Sequence, residues 1–258
     1  MDVETIRYIE ETRRRLAKWE RELLKPPGMF QNMSGAVQAR INRIIPEKVH
    51  ETITSTVKGI VHTALFTAEY TPRHEPANGM TLRDSDERGE ELRSFYKKLA
   101  SAEGAGTGAG GLLLGLADFP ILIGIKMKFL FELAHAYGYS TKDMRERLFI
   151  LHVFQLAFSA PDKKAALLRT VKHWEEEMAR LPSGPMLADQ VDWRELQQQY
   201  RDTIDFRKML QLIPGIGAVV GAWANYNLLD ELGETGMNAY RIRRLGGSTS
   251  DYGEPPYY

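Results

Sequence analysis

Two stretches of the sequence are apolar, rich in glycine and alanine, and almost free of charge. The first covers residues 104–125 (GAGTGAGGLLLGLADFPILIGI) and the second covers residues 210–229 (LQLIPGIGAVVGAWANYNLL). Small residues four positions apart let helical backbones approach closely, in membranes and in tightly packed soluble cores. The candidate close-packing glycines are Gly104, Gly106, Gly108, Gly110, Gly111, Gly115, Gly217 and Gly221. Proline lacks a backbone N–H and its ring clashes with the preceding turn, so we expect Pro120 and Pro214 to break the helix in each stretch.

The rest of the chain has the pattern of ordinary amphipathic helices. Apolar residues from Ile6 to Leu24 recur at helical spacing among dense charges, which predicts a helix over residues 4–25. Similar signals predict helices from Ser34, from Pro46, over 86–102, over 121–137, from Ser140 to Phe158, over 159–181, over 193–212 and over 226–245. We find no alternation typical of strands. The sequence therefore predicts an all-α, compact multi-helix domain over residues 1–245, with two central Pro-broken helical segments and a disordered tail over 246–258.

Composition excludes several classes of function. The formal net charge is zero, so nothing global attracts the chain to nucleic acid. The absence of cysteine excludes disulfides, thiolate metal sites and cysteine nucleophiles. The N-terminus, MDVETIRYIEETRRR, has no apolar core of a secretory signal, and we expect a cytoplasmic protein. Residues 209–229 hold no formal charge and are long enough to span a bilayer, but Pro214 and three polar side chains weaken that interpretation.

Two short motifs have a catalytic or metal interpretation and a structural one. Gly106, Gly108 and Gly111 match the dinucleotide-binding pattern, but a predicted helix precedes them where that fold needs a strand, so we favour close helix packing. Two Glu-x-x-His pairs, Glu47/His50 and Glu132/His135, resemble half of a di-iron site. No bridging glutamates are identifiable, and we expect no metal and no other cofactor.

Asp118 is the polar residue that stands out, because it interrupts an apolar run. We expect it to cap a helix that begins near Pro120, or to form an ion pair with Lys126 or Lys128. Asp230 follows the second apolar stretch and is a weaker candidate of the same kind as Asp118. Asn225 is expected to make structural hydrogen bonds. His152 lies in apolar surroundings typical of a hydrogen-bonded core histidine.

Several of these segments also carry a resemblance to a known family. They are INRIIPEKVHETIT at 41–54, residues 104–139, RERLFILHVFQLAF at 145–158, and residues 209–241. ADFP and IPGIGAVVGA are the most specific pieces. The chain resembles the EcsC family, bacterial proteins named after the third component of an operon that encodes an ABC-type exporter. The resemblance implies an all-helical fold and a role near a membrane transporter, and it supplies no catalytic residues.

The leading functional hypothesis is a non-catalytic protein that binds a membrane surface, a lipid or a membrane protein through its apolar segments, at the inner face of the membrane. The competing structural interpretation is that the two segments pack against each other as a buried pair. The alternative function is an enzyme, either a lipid-directed hydrolase or a metal-dependent enzyme, with a pocket near Asp118, His135 and His152. Nothing in the sequence specifies an oligomeric state.

Overall fold

The computed structural model describes residues 2–25, 47–107, 111–179 and 218–246. Within these ranges the chain forms eight α-helices and no β-strand, which confirms the all-helical fold class. In chain order the helices are α1 (Val3–Leu23), α2 (Glu47–Phe66), α3 (Leu82–Thr107), α4 (Gly111–Ala136), α5 (Met144–Phe158), α6 (Pro161–Lys172), α7 (Trp174–Ala179) and α8 (Ala218–Arg244).

Several expectations fall outside the described residues. They concern the helices from Ser34 and over 193–212, Pro214, the tail beyond Gly246, and Gly108, Gly110 and Gly217. Gly104, Gly106, Gly111, Gly115 and Gly221 lie in helices, but the surroundings of their α-carbons are not described. Close packing at these eight glycines therefore stays a prediction.

The expected break at Pro120 is wrong. Helix α4 runs from Gly111 to Ala136 with Pro120 inside it. A proline removes one backbone donor and crowds the preceding turn, which can kink a helix without ending it. Phe119, Leu122 and Ile123 are almost fully buried on both sides of the proline, and their burial favours continuing the helix.

The expected cap at Asp118 is wrong for the same reason. Residue 118 lies in the second turn of α4, so it does not precede the first turn of a helix. An ion pair with Lys126 or Lys128 stays a prediction, because the Asp118 side chain is outside the described part of the structure.

Other helix boundaries differ because local caps override the apolar pattern. Helix α3 begins at Leu82 because Thr81 and Asp84 cap each other. The Asp84 N–H donates to Thr81 Oγ1 at 3.2 Å and the Thr81 N–H donates to Asp84 Oδ2 at 3.1 Å. The N-cap of α5 is Asp143, which accepts from Arg145 N at 2.9 Å, so the expected start at Ser140 is wrong. The helix expected over 159–181 is two helices, α6 and α7, divided at His173.

Helices α3, α4 and α8 form the centre of the fold. Helix α8 lies antiparallel to α3, since Asp86 contacts Arg241 and Lys97 contacts Asp230. It lies parallel to α4, since Lys126 contacts Asn225 and the Tyr137 ring stacks on Tyr240. The N-terminal ends of α4 and α8 therefore lie at one end of the bundle, and their C-terminal ends lie at the other.

Two glycines of α8 permit this close approach. A β-carbon built on Gly236 would lie 2.7 Å from Leu133 Cδ2 of α4, and one on Gly233 would lie 2.8 Å from Arg93 Cγ of α3. Real β-carbons do not come so close to neighbours, so α8 fits between α3 and α4 because these positions lack side chains. The pattern of small residues in the two apolar stretches does not indicate this pair.

One further glycine ends α4. Gly138 adopts φ +88°, in the left-handed region that ordinary residues disfavour, and its β-carbon position lies 3.0 Å from the carbonyl oxygen of Ala77. The sequence predicts that this helix ends at residue 137, and in the structure it ends at Ala136.

We predict that Gly236→Ala lowers the free energy of unfolding by about 1–3 kcal/mol, because the methyl group overlaps the buried Leu133 side chain. Gly59→Ala is the matched control, since Gly59 is an exposed position of α2 with no atom within 4 Å of its β-carbon position. Alanine there should stabilise the protein by about 0.5–1 kcal/mol. Urea unfolding of both variants checks the pair, and stabilisation by both would show that α4 and α8 are not packed this closely.

Candidate functional site

A fully buried lysine lies where α4 contacts α8. Lys126 of α4 has no solvent exposure, and its Nζ donates to Asn225 Oδ1 of α8 at 3.2 Å and to the carbonyl oxygen of Leu122 at 3.5 Å. Burial disfavours the charged form of an amine, and it lowers the pKa of Lys126 to about 7. Lys126 and Asn225, which the sequence analysis named separately, therefore form one buried polar contact.

Three exposed apolar side chains lie at the same end of the bundle. Trp223 is 68% exposed, Ile121 is 54% exposed and Tyr226 is 39% exposed. Each lies within about one helical turn of Leu122 or Asn225, the two acceptors of the Lys126 amine. We call these three residues the apolar end. Tryptophan is usually well buried, so its exposure beside two further apolar side chains is a feature that requires an explanation.

An ion-pair cluster at Asp230 joins α8 to α3 next to Tyr226 of the apolar end. Asp230 Oδ1 lies 2.9 Å from Arg93 Nη2 and 2.6 Å from Lys97 Nζ. The Lys97 Nζ also lies 4.3 Å from the centroid of the Tyr226 ring, which is a cation–π contact. Asp230 therefore has a structural role in joining α3 to α8.

The two histidines named from the sequence have separate structural partners. His135 Nδ1 lies 3.0 Å from the carbonyl oxygen of His74, and Nε2 lies 3.0 Å from Thr141 Oγ1. His152 Nδ1 lies 2.9 Å from the carbonyl oxygen of Leu148, and its ring packs on Trp174 at 5.1 Å. Burial lowers the pKa of both histidines, so both are neutral near pH 7. His152 fits the expectation of a hydrogen-bonded core histidine, and His135 is held in a similar way by a carbonyl and a hydroxyl.

The remaining candidates do not assemble into a metal centre in the described residues. Glu132 Oε2 lies 3.7 Å from His74 Nε2, whereas both ring nitrogens of His135 are occupied by other groups. Within the same ranges, no group of three or more histidine, aspartate or glutamate side chains is placed to hold a metal ion. Glu47 and His50 lie in the first turn of α2, and their side chains are outside the described part. Lys128 is exposed on α4.

The opposite end of the bundle holds a buried carboxylate that the sequence analysis missed. Asp86 accepts hydrogen bonds from Tyr8 at 2.6 Å, from Tyr137, and from Arg241 Nε at 2.9 Å. Its partners come from α1, the end of α4, and α8, so this carboxylate joins three elements to α3. Burial is the main reason that the pKa of Tyr137 lies well above its usual value, so that hydroxyl remains a donor.

A second buried carboxylate lies nearby. Glu146 accepts from Tyr240 at 2.5 Å and from Arg243 Nη1 at 2.7 Å, and the Tyr137 and Tyr240 rings stack at 5.3 Å between centroids. Burial raises the pKa of Glu146 while Arg243 and Tyr240 oppose that rise. No local motif marks these residues, because their partners lie 51 to 155 positions away in the sequence.

Two recesses open beside these carboxylates. A groove of about 850 Å³ runs past Asp86 and Arg241, between Tyr8 and Phe95, and a recess of about 170 Å³ lies beside Glu146 and Arg243. Neither recess is lined by His135 or His152, two of the residues on which the enzyme interpretation depended. Within the described residues, no helix is both long enough and apolar enough to cross a membrane.

We predict a pH-dependent stability difference at Lys126. The folded-state pKa of about 7 lies below the ordinary value of 10.5, so the unfolded chain binds more protons between these two values. The contribution of Lys126 to stability therefore rises with pH across this window and is constant below it. Lys126→Met should gain most stability, relative to wild type, at about pH 6 and progressively less towards about pH 10. Urea unfolding across this range measures the difference.

Lys128→Met is the control for this experiment, because it removes the same charge from an exposed position of the same helix. Its stability difference from wild type should not vary with pH in this way. A Lys126→Met difference that stays constant with pH would show that the buried amine keeps an ordinary pKa.

We predict that Asp86→Ala destabilises the fold by about 3–5 kcal/mol, because it leaves Arg241 and two tyrosine hydroxyls without their acceptor. Glu87→Ala, at the next and exposed position, should change stability by less than about 0.5 kcal/mol. Thermal melts compare the two variants, and similar small shifts in both would mean that the Asp86 cluster does not join the helices.

Comparison with known proteins shows what this chain is similar to. The model of the EcsC protein family matches residues 10–245. Protein EcsC of Bacillus subtilis (strain 168) is 41% identical over 228 residues, which cover 88% of this chain and 92% of that protein. An uncharacterized protein of the same organism, YdbA, is 36% identical over 161 residues, which cover 62% of this chain and 58% of that protein. No solved structure matches the chain significantly. The chain therefore belongs to the EcsC protein family.

Proposed function

We propose that this protein is a non-catalytic helical protein that binds the surface of an anionic membrane, at its cytoplasmic face, through the apolar end. The observation that supports this most directly is the 68% exposure of Trp223. A tryptophan ring loses favourable burial energy when it stays in water, and membrane interfaces accept such rings with the polar edge facing the headgroups.

The neighbours of Trp223 fit the same environment. Tyr226 lies one turn further along α8 and offers a second amphipathic aromatic ring. Ile121 presents an aliphatic side chain from α4, and a partner or membrane would remove these three surfaces from water. They belong to two helices joined at Lys126 and Asn225, so they lie at the same end of the folded bundle.

Exposed cations near the apolar end favour anionic lipid. Lys128 lies seven residues after Ile121 and therefore on the same face of α4. Lys97 of α3 is partly exposed and contacts the Tyr226 ring. A lysine near an anionic membrane surface contributes about 1 kcal/mol. Long lysine side chains can also place the stem on apolar surface while the ammonium stays in water.

A membrane-transport protein is the second candidate partner. The resemblance of the sequence to proteins named after an exporter operon is what supports it. The two candidates differ in what they bind: a lipid-binding protein recognises protein-free vesicles, whereas a partner of a transporter needs native membranes.

We predict that the purified full chain sediments with vesicles of phosphatidylglycerol and much less with vesicles of phosphatidylcholine. Trp223→Ser should weaken binding to the anionic vesicles about tenfold or more, because it removes a large apolar contact. Val3→Ser is the control, since Val3 is 83% exposed but lies on α1, near the end of the bundle that holds Asp86. Raised salt should weaken binding.

Equal binding by wild type and Trp223→Ser would contradict the proposal, as would equal loss in the Val3→Ser control. Binding to native membranes with no binding to either vesicle would show that the protein binds a membrane protein and not the lipid surface.

A further inference from the structure

We propose that the recess of about 170 Å³ beside Arg243 binds a small carboxylic acid, and that the ligand carboxylate replaces Glu175 on the Arg243 guanidinium. Arg243 lies in the last turn of α8, whereas the apolar end lies near the first turns of that helix. This inference therefore does not rest on membrane binding.

The first argument is that buried groups fix the orientation of Arg243. Its side chain is 8% exposed. The guanidinium carbon lies 3.9 Å from the centroid of the Tyr139 ring and 4.3 Å from the centroid of the Phe149 ring. Nη1 donates to the buried carboxylate of Glu146 at 2.7 Å. The remaining edge of the guanidinium, Nε and Nη2, has the geometry that holds a carboxylate by two parallel hydrogen bonds.

The second argument is that this edge already holds a carboxylate, and that this carboxylate can leave. Glu175 reaches the edge from the short helix α7, and its side chain is 71% exposed. One oxygen, Glu175 Oε1, accepts from both Nε at 2.9 Å and Nη2 at 2.6 Å. An exposed carboxylate loses little when it returns to water. A ligand that places one oxygen on each nitrogen would form the better pair.

The third argument is the lining and size of the recess. Trp174 and Met178 are both buried and give the recess an apolar wall, and Ser140 adds a polar group. Sites for drug-sized molecules measure about 300–1,000 Å³, so this recess takes a smaller molecule. One ring or a short chain can pack on the apolar wall while Arg243 holds the charged end.

The charges around the recess favour a ligand with one negative charge. Asp143 and Glu146 line it together with Arg145 and Arg243, and these four formal charges balance. Glu175 adds one negative charge to this set. A carboxylate would replace that charge one for one, whereas a phosphate dianion would add a second negative charge beside two carboxylates. The ligand class is therefore a carboxylic acid and not a phosphate ester.

The test is titration of the purified full chain with benzoate, followed by ligand-observed NMR and calorimetry. Benzamide has the same ring without the charge, so it should bind at least about tenfold more weakly. Phenyl phosphate should also bind more weakly than benzoate. Equal affinity for benzoate and benzamide would overturn the proposal. Phenyl phosphate binding at least as tightly as benzoate would do the same, as would the absence of benzoate binding at millimolar concentration.

A variant of α7 tests whether Glu175 occupies the ligand position. Glu175→Ala removes the internal carboxylate and keeps Arg243, so it should tighten benzoate binding by at least about threefold. Glu176→Ala is the matched control, because Glu176 is the next residue of α7, is 72% exposed and pairs with His173. Equal benzoate affinity in wild type and Glu175→Ala, or the same gain in Glu176→Ala, would contradict the proposal.

A variant of the arginine tests the geometry of the guanidinium. Arg243→Lys keeps the positive charge but loses the planar edge, so it should weaken benzoate binding at least about tenfold. Because Arg243 also pairs with Glu146, a thermal melt first establishes that the variant is folded at the titration temperature. A folded variant that binds benzoate as tightly as wild type would overturn the proposal. If the variant does not fold, the comparison of Glu175→Ala with Glu176→Ala decides.

Discussion

The close approach of α8 to α4 at Gly236 determines where the functional residues of this bundle lie. With no side chain at that position, Leu133 of α4 fills the space and the two helices run side by side in parallel. This alignment brings Tyr137 onto Tyr240 at one end and Lys126 next to Asn225 at the other. A bulkier residue in the middle of α8 would disturb both ends at once.

The bundle has two ends of different chemistry because of this alignment. At one end, Asp86 and Glu146 are buried with tyrosine and arginine partners, and these contacts join α1 and α5 to the central helices. At the other end, the buried Lys126 contacts an amide, an ion-pair cluster at Asp230 joins α8 to α3, and three apolar side chains are exposed. The end that holds the two buried carboxylates suits a scaffold, and the end that exposes apolar side chains suits binding.

Most of the helices were predictable because they depend on local spacing, as α1 shows with its apolar stripe and its cap at Asp2. The error at Pro120 arose because burial of Phe119 and Ile123 outweighs a local helix breaker. Lys126, Asn225 and Asp230 were identified as polar residues near apolar segments, but their contacts depend on the alignment of distant helices. The buried carboxylates Asp86 and Glu146 were missed because nothing in the charge pattern separates them from the exposed acids beside them.

The most direct test of membrane binding is the depth of the apolar end in a bilayer. Since the chain has no cysteine, Ile121→Cys and Val3→Cys each accept a single environment-sensitive fluorophore. On phosphatidylglycerol vesicles, the probe at position 121 should shift to shorter wavelength and be quenched by lipids labelled in the acyl chain, while the probe at position 3 stays accessible to aqueous iodide. A vesicle-bound protein whose probe at position 121 remains accessible to iodide, with no quenching from the lipid, would contradict this account.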